Sequence, residues 1–225
     1  MTKLGIVTGM AFEADILRPA TAAEDAPLVA CHGFGHSASR RAAAELADQG
    51  VEALLSFGIA GGLDPRLATG AIVVATEIRF ERRAQVTDAG WTERLHARVG
   101  SSVLAPLAHA DQVITTPGQK RELHDLTGAV AVDMESWGIA EIAIERGLPF
   151  AALRVIADTT DDALPGVALA AVTDDGHVRV MKSVLGALTH PQQIPGLVWL
   201  GRRTKTASKV LGDLADLGLA RSFFL

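Results

Sequence analysis

Short, near-continuous apolar runs alternate along this chain with longer stretches whose apolar positions recur every three or four residues. The first type reads as buried strands and the second as helices that cover them. Residues 3–9 (KLGIVTG) form the first strand. Met10 to Leu17 form a helix closed by Pro19, and the polar residues 20–27 form a surface loop. Leu28 to Cys31 make a second strand, followed by a helix from Ser37 to Gln49 that Gly50 ends. A third strand, Val51 to Phe57, runs into a glycine loop, Gly58 to Pro65. Ala71 to Thr76 is a strand that continues to Phe80, and WTERLHARV is a helix within the mixed stretch 81–100. Ser102 to Ala108 and Asp111 to Thr115 read as strands, and Pro117 to Leu126 as a helix with proline in its first turn.

The densest part of the pattern is 128–158. Ala129 to Val132 is a buried strand that stops at Asp133-Met134-Glu135. A helix follows with Ile139, Ile142, Ala143 and Ile144 on its apolar face, and Gly147 stands where a left-handed residue ends a helix. A last apolar run, Phe150 to Ala157, stops at Asp158. Beyond it lie an Asp/Thr/Pro/Gly-rich loop and a helical C-terminal quarter, Gly176 to Leu225, with breaks at Pro191, Pro195 and Gly201. Strands alternating with helices, without repeats or linkers, predict a single domain over residues 1–225: a three-layer α/β/α arrangement around a central mixed sheet.

Composition narrows the class. The chain has 225 residues, 48% of them hydrophobic but only 4% aromatic, with no tyrosine, so its core is built from Ala, Val, Leu and Ile. A formal charge of −5 argues against nucleic acid as a partner. The single cysteine, Cys31, permits no internal disulfide. The apolar start is too short for a signal peptide, and no run approaches a membrane span, so a soluble cytoplasmic protein is expected.

Carboxylates fall just past strand ends, where open α/β sheets bind ligands: Glu13, Asp133 with Glu135, and Asp158. Asp133 reads equally as a helix cap or a ligand contact. Gly33-Phe34-Gly35-His36-Ser37-Ala38 has the form G-x-G-x-x-A, but the next strand lacks the acid a dinucleotide site requires, which disfavours a Rossmann-type oxidoreductase. The second glycine loop, with Ile59 and Gly61, is read as facing a ligand. The histidines show no ligand spacing, so neither a metal nor an organic cofactor is expected.

Taken in order, GIVTGMAFEADIL, HGFGHS, SFGIAGGLDP, AVAVDMESWGIA and PFAALRVIADTTDD resemble the purine nucleoside phosphorylase and methylthioadenosine/S-adenosylhomocysteine nucleosidase superfamily. DMES and the tail from ALPGV to LVWL resemble its hopanoid-associated branch. The resemblance implies release of adenine from an adenosyl substrate by cleavage of an N-glycosidic bond, in this branch from adenosylhopane. A methylthioadenosine/S-adenosylhomocysteine-type nucleosidase and a non-catalytic nucleoside-binding module are the alternatives. By resemblance Glu13 activates the nucleophile, Met134 and Glu135 contact ribose, and Asp158 protonates the purine. Val113 and Ile114 line the base pocket, with Val113 where the family carries an aromatic ring. The sequence leaves water or phosphate open as nucleophile; Gly35, His36 and Ser37, with Arg40, are the tentative phosphate group. The resemblance also implies a homodimer or larger assembly. Leu197 to Lys205 joins apolar residues to a basic cluster, which reads either as a packed helix or as a peripheral membrane edge.

Overall fold

The computed structural model describes residues 3–18, 26–165 and 194–217. Its elements are β1 (Leu4–Val7), α1 (Ala11–Leu17), β2 (Leu28–Ala30), α2 (His36–Asp48), β3 (Ala53–Gly62), β4 (Ile72–Phe80), β5 (Arg83–Val86), α3 (Ala89–Val99), β6 (Ser102–His109), α4 (Pro117–Thr127), β7 (Ala131–Asp133), α5 (Ser136–Arg146), β8 (Phe150–Asp158) and α6 (Ile194–Asp216). The predicted helix stop at Pro19, most of the loop at 20–27, the break at Pro191 and the chain end Ser222 to Leu225 lie outside the described residues.

The sheet is mixed, as the sequence predicts, but it is not open. β1 lies parallel between β2 and β3, and β3 runs parallel to β8. β8 then pairs antiparallel with β4, β4 parallel with β6, and β6 parallel with β7. β7 returns to β3, antiparallel, at Gly61 and Gly62. The five strands β3-β8-β4-β6-β7 therefore close a ring, with β2-β1 as an extension beside β3 and β5 as a hairpin arm on β4.

Closure explains where the expected elements differ. β3 was expected to end at Phe57, yet it continues through the predicted glycine loop to Gly62, because β8 and β7 hold its far end on two sides. Gly62 has no room for a side chain: a Cβ there would stand 3.0 Å from the Asp158 carbonyl oxygen. The expected strand at Asp111–Thr115 is absent; this segment is a turn with no ladder partner, tied by the Leu164 amide donating to the Thr115 carbonyl at 2.9 Å. β5 escaped the pattern because it is an exposed arm without apolar alternation. α6 runs unbroken through Pro195, which sits in its first turn where no hydrogen bond is lost, and through Gly201.

Two apolar layers flank the sheet. On one face α2 and α5 bury Ala42, Ala43, Leu46, Trp137, Ile139, Ala140, Ile142 and Ala143; on the other, α1, α3 and α6 bury Leu17, Trp91, Leu95, Ala207, Leu211 and Leu214. Ile144, expected on the apolar face of α5, is 63% exposed: it lies in the last turn of the helix, beyond the buried stretch that ends at Ala143. Gly147 ends α5 at φ 65°, in the left-handed conformation expected of it.

Candidate active site

Glu13 is placed by local and distant backbone together. Gly9 and Met10 amides donate to its Oε2 at 3.1 and 2.9 Å, closing the N-terminus of α1, and the Ile59 amide of β3 donates to its Oε1 at 2.8 Å. The side chain lies flat against β3 because residue 58 is glycine; a Cβ there would come within 2.6 Å of Glu13 Oε1. Burial raises the Glu13 pKa, and Arg154 together with the three amides opposes that rise.

Glu135 meets Glu13 across Gly9. A Cβ on Gly9 would stand 2.8 Å from the Glu135 carboxyl carbon, while the Gly9 amide belongs to Glu13. Gly35 donates to Glu135 Oε1 at 3.0 Å; Oε2 has only a long contact from the Met134 amide at 3.4 Å and Arg154 at 3.9 Å. That oxygen keeps acceptor capacity for a hydroxyl donor. Burial and the neighbouring Asp133 push the Glu135 pKa up to about 7, against the pull of Arg154.

Asp133 faces inward. Its carboxylate accepts from the Glu135 and Ser136 amides at 3.2 and 3.1 Å, from the Ser136 hydroxyl, and from Arg154 Nε at 2.8 Å. Of its two sequence readings, the geometry favours the cap: it fixes the start of α5 and so aims Glu135. Arg154 completes the cluster by donating to Ser56 Oγ at 2.7 Å and Ser136 Oγ at 3.1 Å, with both ionic side chains of the Arg154–Asp133 pair 1% exposed. Sequence reading passed over Arg154, although a lone charge inside the apolar run Phe150–Ala157 was a usable signal. Removing one partner of a buried ion pair leaves the other without its countercharge. Arg154→Met is therefore expected to lower unfolding stability by about 3–5 kcal/mol, measured by urea denaturation. A loss below about 1 kcal/mol would mean that Ser136 and the amides alone suffice for Asp133.

Asp158 ends β8 beside Gly61, whose added Cβ would lie 3.5 Å from Asp158 Oδ2. A bulge opposite the Ala60–Gly61 step brings the two into register. Its partner is Lys120 of α4, fully buried, which donates to Asp158 Oδ2 and to the Thr159 carbonyl at 2.5 Å. Burial raises the Asp158 pKa, and the Lys120 ammonium pulls against it. Lys120 was also missed, and nothing in the polar sequence of α4 singles it out. Gly58 and Gly61 are three residues apart on β3, so the Glu13 and Asp158 positions are separated by roughly 10 Å along the strand.

The other predicted residues divide. Ile59 and Gly61 lie on β3 beside Glu13 and Asp158, and Met134 sits half-buried between Asp133 and Glu135. Ile114 packs on Leu63, Ala108, Ala129 and Val132, while Val113 is 38% exposed. Of the residues expected to hold phosphate, Gly35, His36 and Arg40 have partners within the protein. The Gly35 amide is engaged by Glu135, and Ser37 is exposed. His36 and Arg40 face Glu141, and Arg40 also grips Glu145 in a two-pronged contact at 2.7 and 2.8 Å.

Comparison with known proteins places this geometry. The sequence profile of the phosphorylase superfamily matches residues 20–184. A 5'-methylthioadenosine/S-adenosylhomocysteine nucleosidase of Mycobacterium bovis is 26% identical over 175 residues, covering 58% of this chain and 69% of its own. The structure of futalosine hydrolase of Helicobacter pylori superposes with a TM-score of 0.68 at 18% identity, covering 96% of this chain and 97% of that one. The 5'-methylthioadenosine/S-adenosylhomocysteine nucleosidase of Neisseria meningitidis, in complex with methylthio-immucillin-A, superposes at 0.72 with 17% identity, over 96% and 98% of the two chains.

Proposed function

Because the chain belongs to the phosphorylase superfamily, we propose that it cleaves the N-glycosidic bond of an adenosyl nucleoside and releases adenine, with water as the nucleophile. The observation that carries this reading is the set of three buried or nearly buried carboxyl groups, Glu13, Glu135 and Asp158, each with a raised pKa: Glu135 just past β7 and Asp158 at the end of β8, both strands of the ring, and Glu13 in α1 held against β3 by the Ile59 amide. Their spacing along β3 suits a nucleoside lying with ribose at Glu13 and Glu135 and its base at Asp158.

The chemistry follows from charge. As the bond breaks, ribose becomes cationic and the base takes the electron pair. The anionic forms of Glu13 and Glu135 are disfavoured by burial and favoured beside a cation, so their interaction strengthens toward the transition state. Glu135 Oε2 accepts the ribose hydroxyls, and Glu13 takes a proton from the attacking water. Asp158, whose protonated form burial favours, gives its proton to the base, which leaves neutral. One proton moves from Asp158 to the base and one from water to Glu13, and exchange with solvent resets both acids.

Water is favoured over phosphate because an incoming dianion would meet Glu13, Glu135 and Asp133, while Arg154 already donates to Asp133, Ser56 and Ser136. Adenine release followed by chromatography, with and without phosphate, tests this. Adenine and free sugar are expected at a rate indifferent to phosphate. A strict requirement for phosphate would overturn the choice of nucleophile, and release from neither adenosylhopane nor methylthioadenosine would overturn the reaction class.

Adenosylhopane, in hopanoid biosynthesis, is the substrate we favour. The sequence resemblance supports it, as does the exposure of apolar Val113, which the resemblance assigns to the base pocket, although most of the tail that carries the branch resemblance lies outside the described residues. The named nucleosidases support methylthioadenosine as the second reading. The ratio of kcat/KM for the two substrates separates them. The same reading includes a homodimer or larger assembly in the cytoplasm and a single catalytic domain. It also includes peripheral membrane contact through α6, whose first half exposes Val198, Arg202 and Lys205.

A further inference from the structure

We infer that Lys120 is a positioning residue of this reaction: its ammonium group, held against Asp158, sets the acidity of the proton that Asp158 delivers to the leaving base. The inference rests on the proposed role of Asp158.

The placement of Lys120 is costly as structure alone. α4 starts at the Thr116 cap, with Pro117 first, so Lys120 lies near the helix N-terminus, where the helix dipole disfavours a cation. The same helix leaves Leu126 73% exposed while burying the lysine completely. An apolar residue at 120 would satisfy burial without carrying a charge out of water, since buried ion pairs contribute little net stability over apolar replacements. What an apolar residue could not supply is the contact of Nζ with Asp158 Oδ2 and the Thr159 carbonyl.

That contact changes during the reaction. The proposed step starts with Asp158 protonated against Lys120. The glycosidic electron pair then moves to the base, the Asp158 O–H proton follows to the base nitrogen, and Asp158 is left as a carboxylate against an ammonium. The attraction is formed in the step itself, so it lowers the barrier rather than merely holding the ground state. Other groups bear on Asp158: Asp162 in the following loop disfavours its anion, and Arg203 of α6 favours it. Arg203 also reaches Asp162 at 3.5 Å and Thr69 of the β3–β4 connection. Neither touches Asp158 as Lys120 does.

The test is the pH profile of adenine release by Lys120→Met, Lys120→Gln and Lys120→Arg, beside wild type and Asp158→Asn, with thermal melts to confirm folding. Loss of the ammonium is expected to lower kcat on the order of 10²-fold. The alkaline limb should move upward by about one to three pH units, because the Asp158 anion loses its countercharge. Lys120→Arg, which keeps the charge, should hold the limb near its wild-type position. An active wild type together with an unmoved or downward-shifted limb in folded Lys120→Met or Lys120→Gln overturns the inference while leaving the reaction class intact. Failure of both variants to fold would show the lysine to be structural and also overturn it. A wild type that releases no adenine overturns the reaction class first.

Discussion

Asp158→Asn is expected to cut adenine release by about 10²–10⁴-fold, the usual worth of a positioned general acid. Asparagine keeps the size of the side chain and an acceptor oxygen for the Lys120 ammonium. It cannot transfer a proton, so the base must leave as an anion. The wild-type alkaline limb should reflect deprotonation of Asp158, whose pKa lies above the ordinary carboxylate value because burial outweighs the lysine. In the variant that limb should vanish, leaving a low rate that no longer falls as pH rises. Calorimetric titration with adenine separates chemistry from binding, and near-normal affinity is expected. Turnover within about twofold of wild type would remove Asp158 from the mechanism. Loss of adenine binding in step with turnover would recast it as a binding group.

Glu13→Gln should be comparably severe, about 10²–10⁴-fold in kcat with a smaller change in KM, since the amide cannot accept a proton from water. It has a second consequence. The Glu13 carboxylate accepts from the amides of Gly9, Met10 and Ile59. A Gln side chain offers one acceptor oxygen and one NH2 group, so at least one amide loses its acceptor, and melting temperature should fall as well. Glu13 is among the groups that raise the Glu135 pKa. Removing its charge should therefore let Glu135 ionise at lower pH, and the residual activity should show an acid limb displaced downward from about 7. A variant with wild-type turnover would reduce Glu13 to a helix cap. An acid limb displaced upward would contradict the proximity of the two carboxyl groups at Gly9.

Much of the candidate site was legible because strand ends and carboxylates are written in the sequence. Glu13, Glu135 and Asp158 each follow an apolar run, and an apolar run that stops at an acid marks a place where the chain leaves the core. Arg154 was legible too, as a charge inside the last apolar run, but reading the run as a strand hid it. Lys120 was not legible. Its helix has the composition of a surface helix, and the burial of its lysine depends on β8 ending beside α4. The partners of the glycine loop were not legible for a related reason. The G-x-G-x-x-A pattern specifies a tight turn, but not what its amide faces, and the nearest acceptor is Glu135, a hundred positions away in sequence.

By itself the sequence determined the order of strands and helices apart from β5 and the strand expected at Asp111–Thr115, together with the glycine that ends α5, the mixed three-layer class and the carboxyl groups available for chemistry. These follow from periodicity and from local backbone preferences, which act over a few residues. Only the tertiary structure decided that the sheet closes on itself and that β3 runs on through Gly58 and Gly61. It also decided that Glu13 and Glu135 meet at Gly9, and that Asp133 holds Arg154 while Asp158 holds Lys120. The reason is that a charge is placed by whatever stands opposite it after folding. Register between distant strands, and the close approach that a missing Cβ permits, settle that pairing, and neither leaves a periodic trace along the chain.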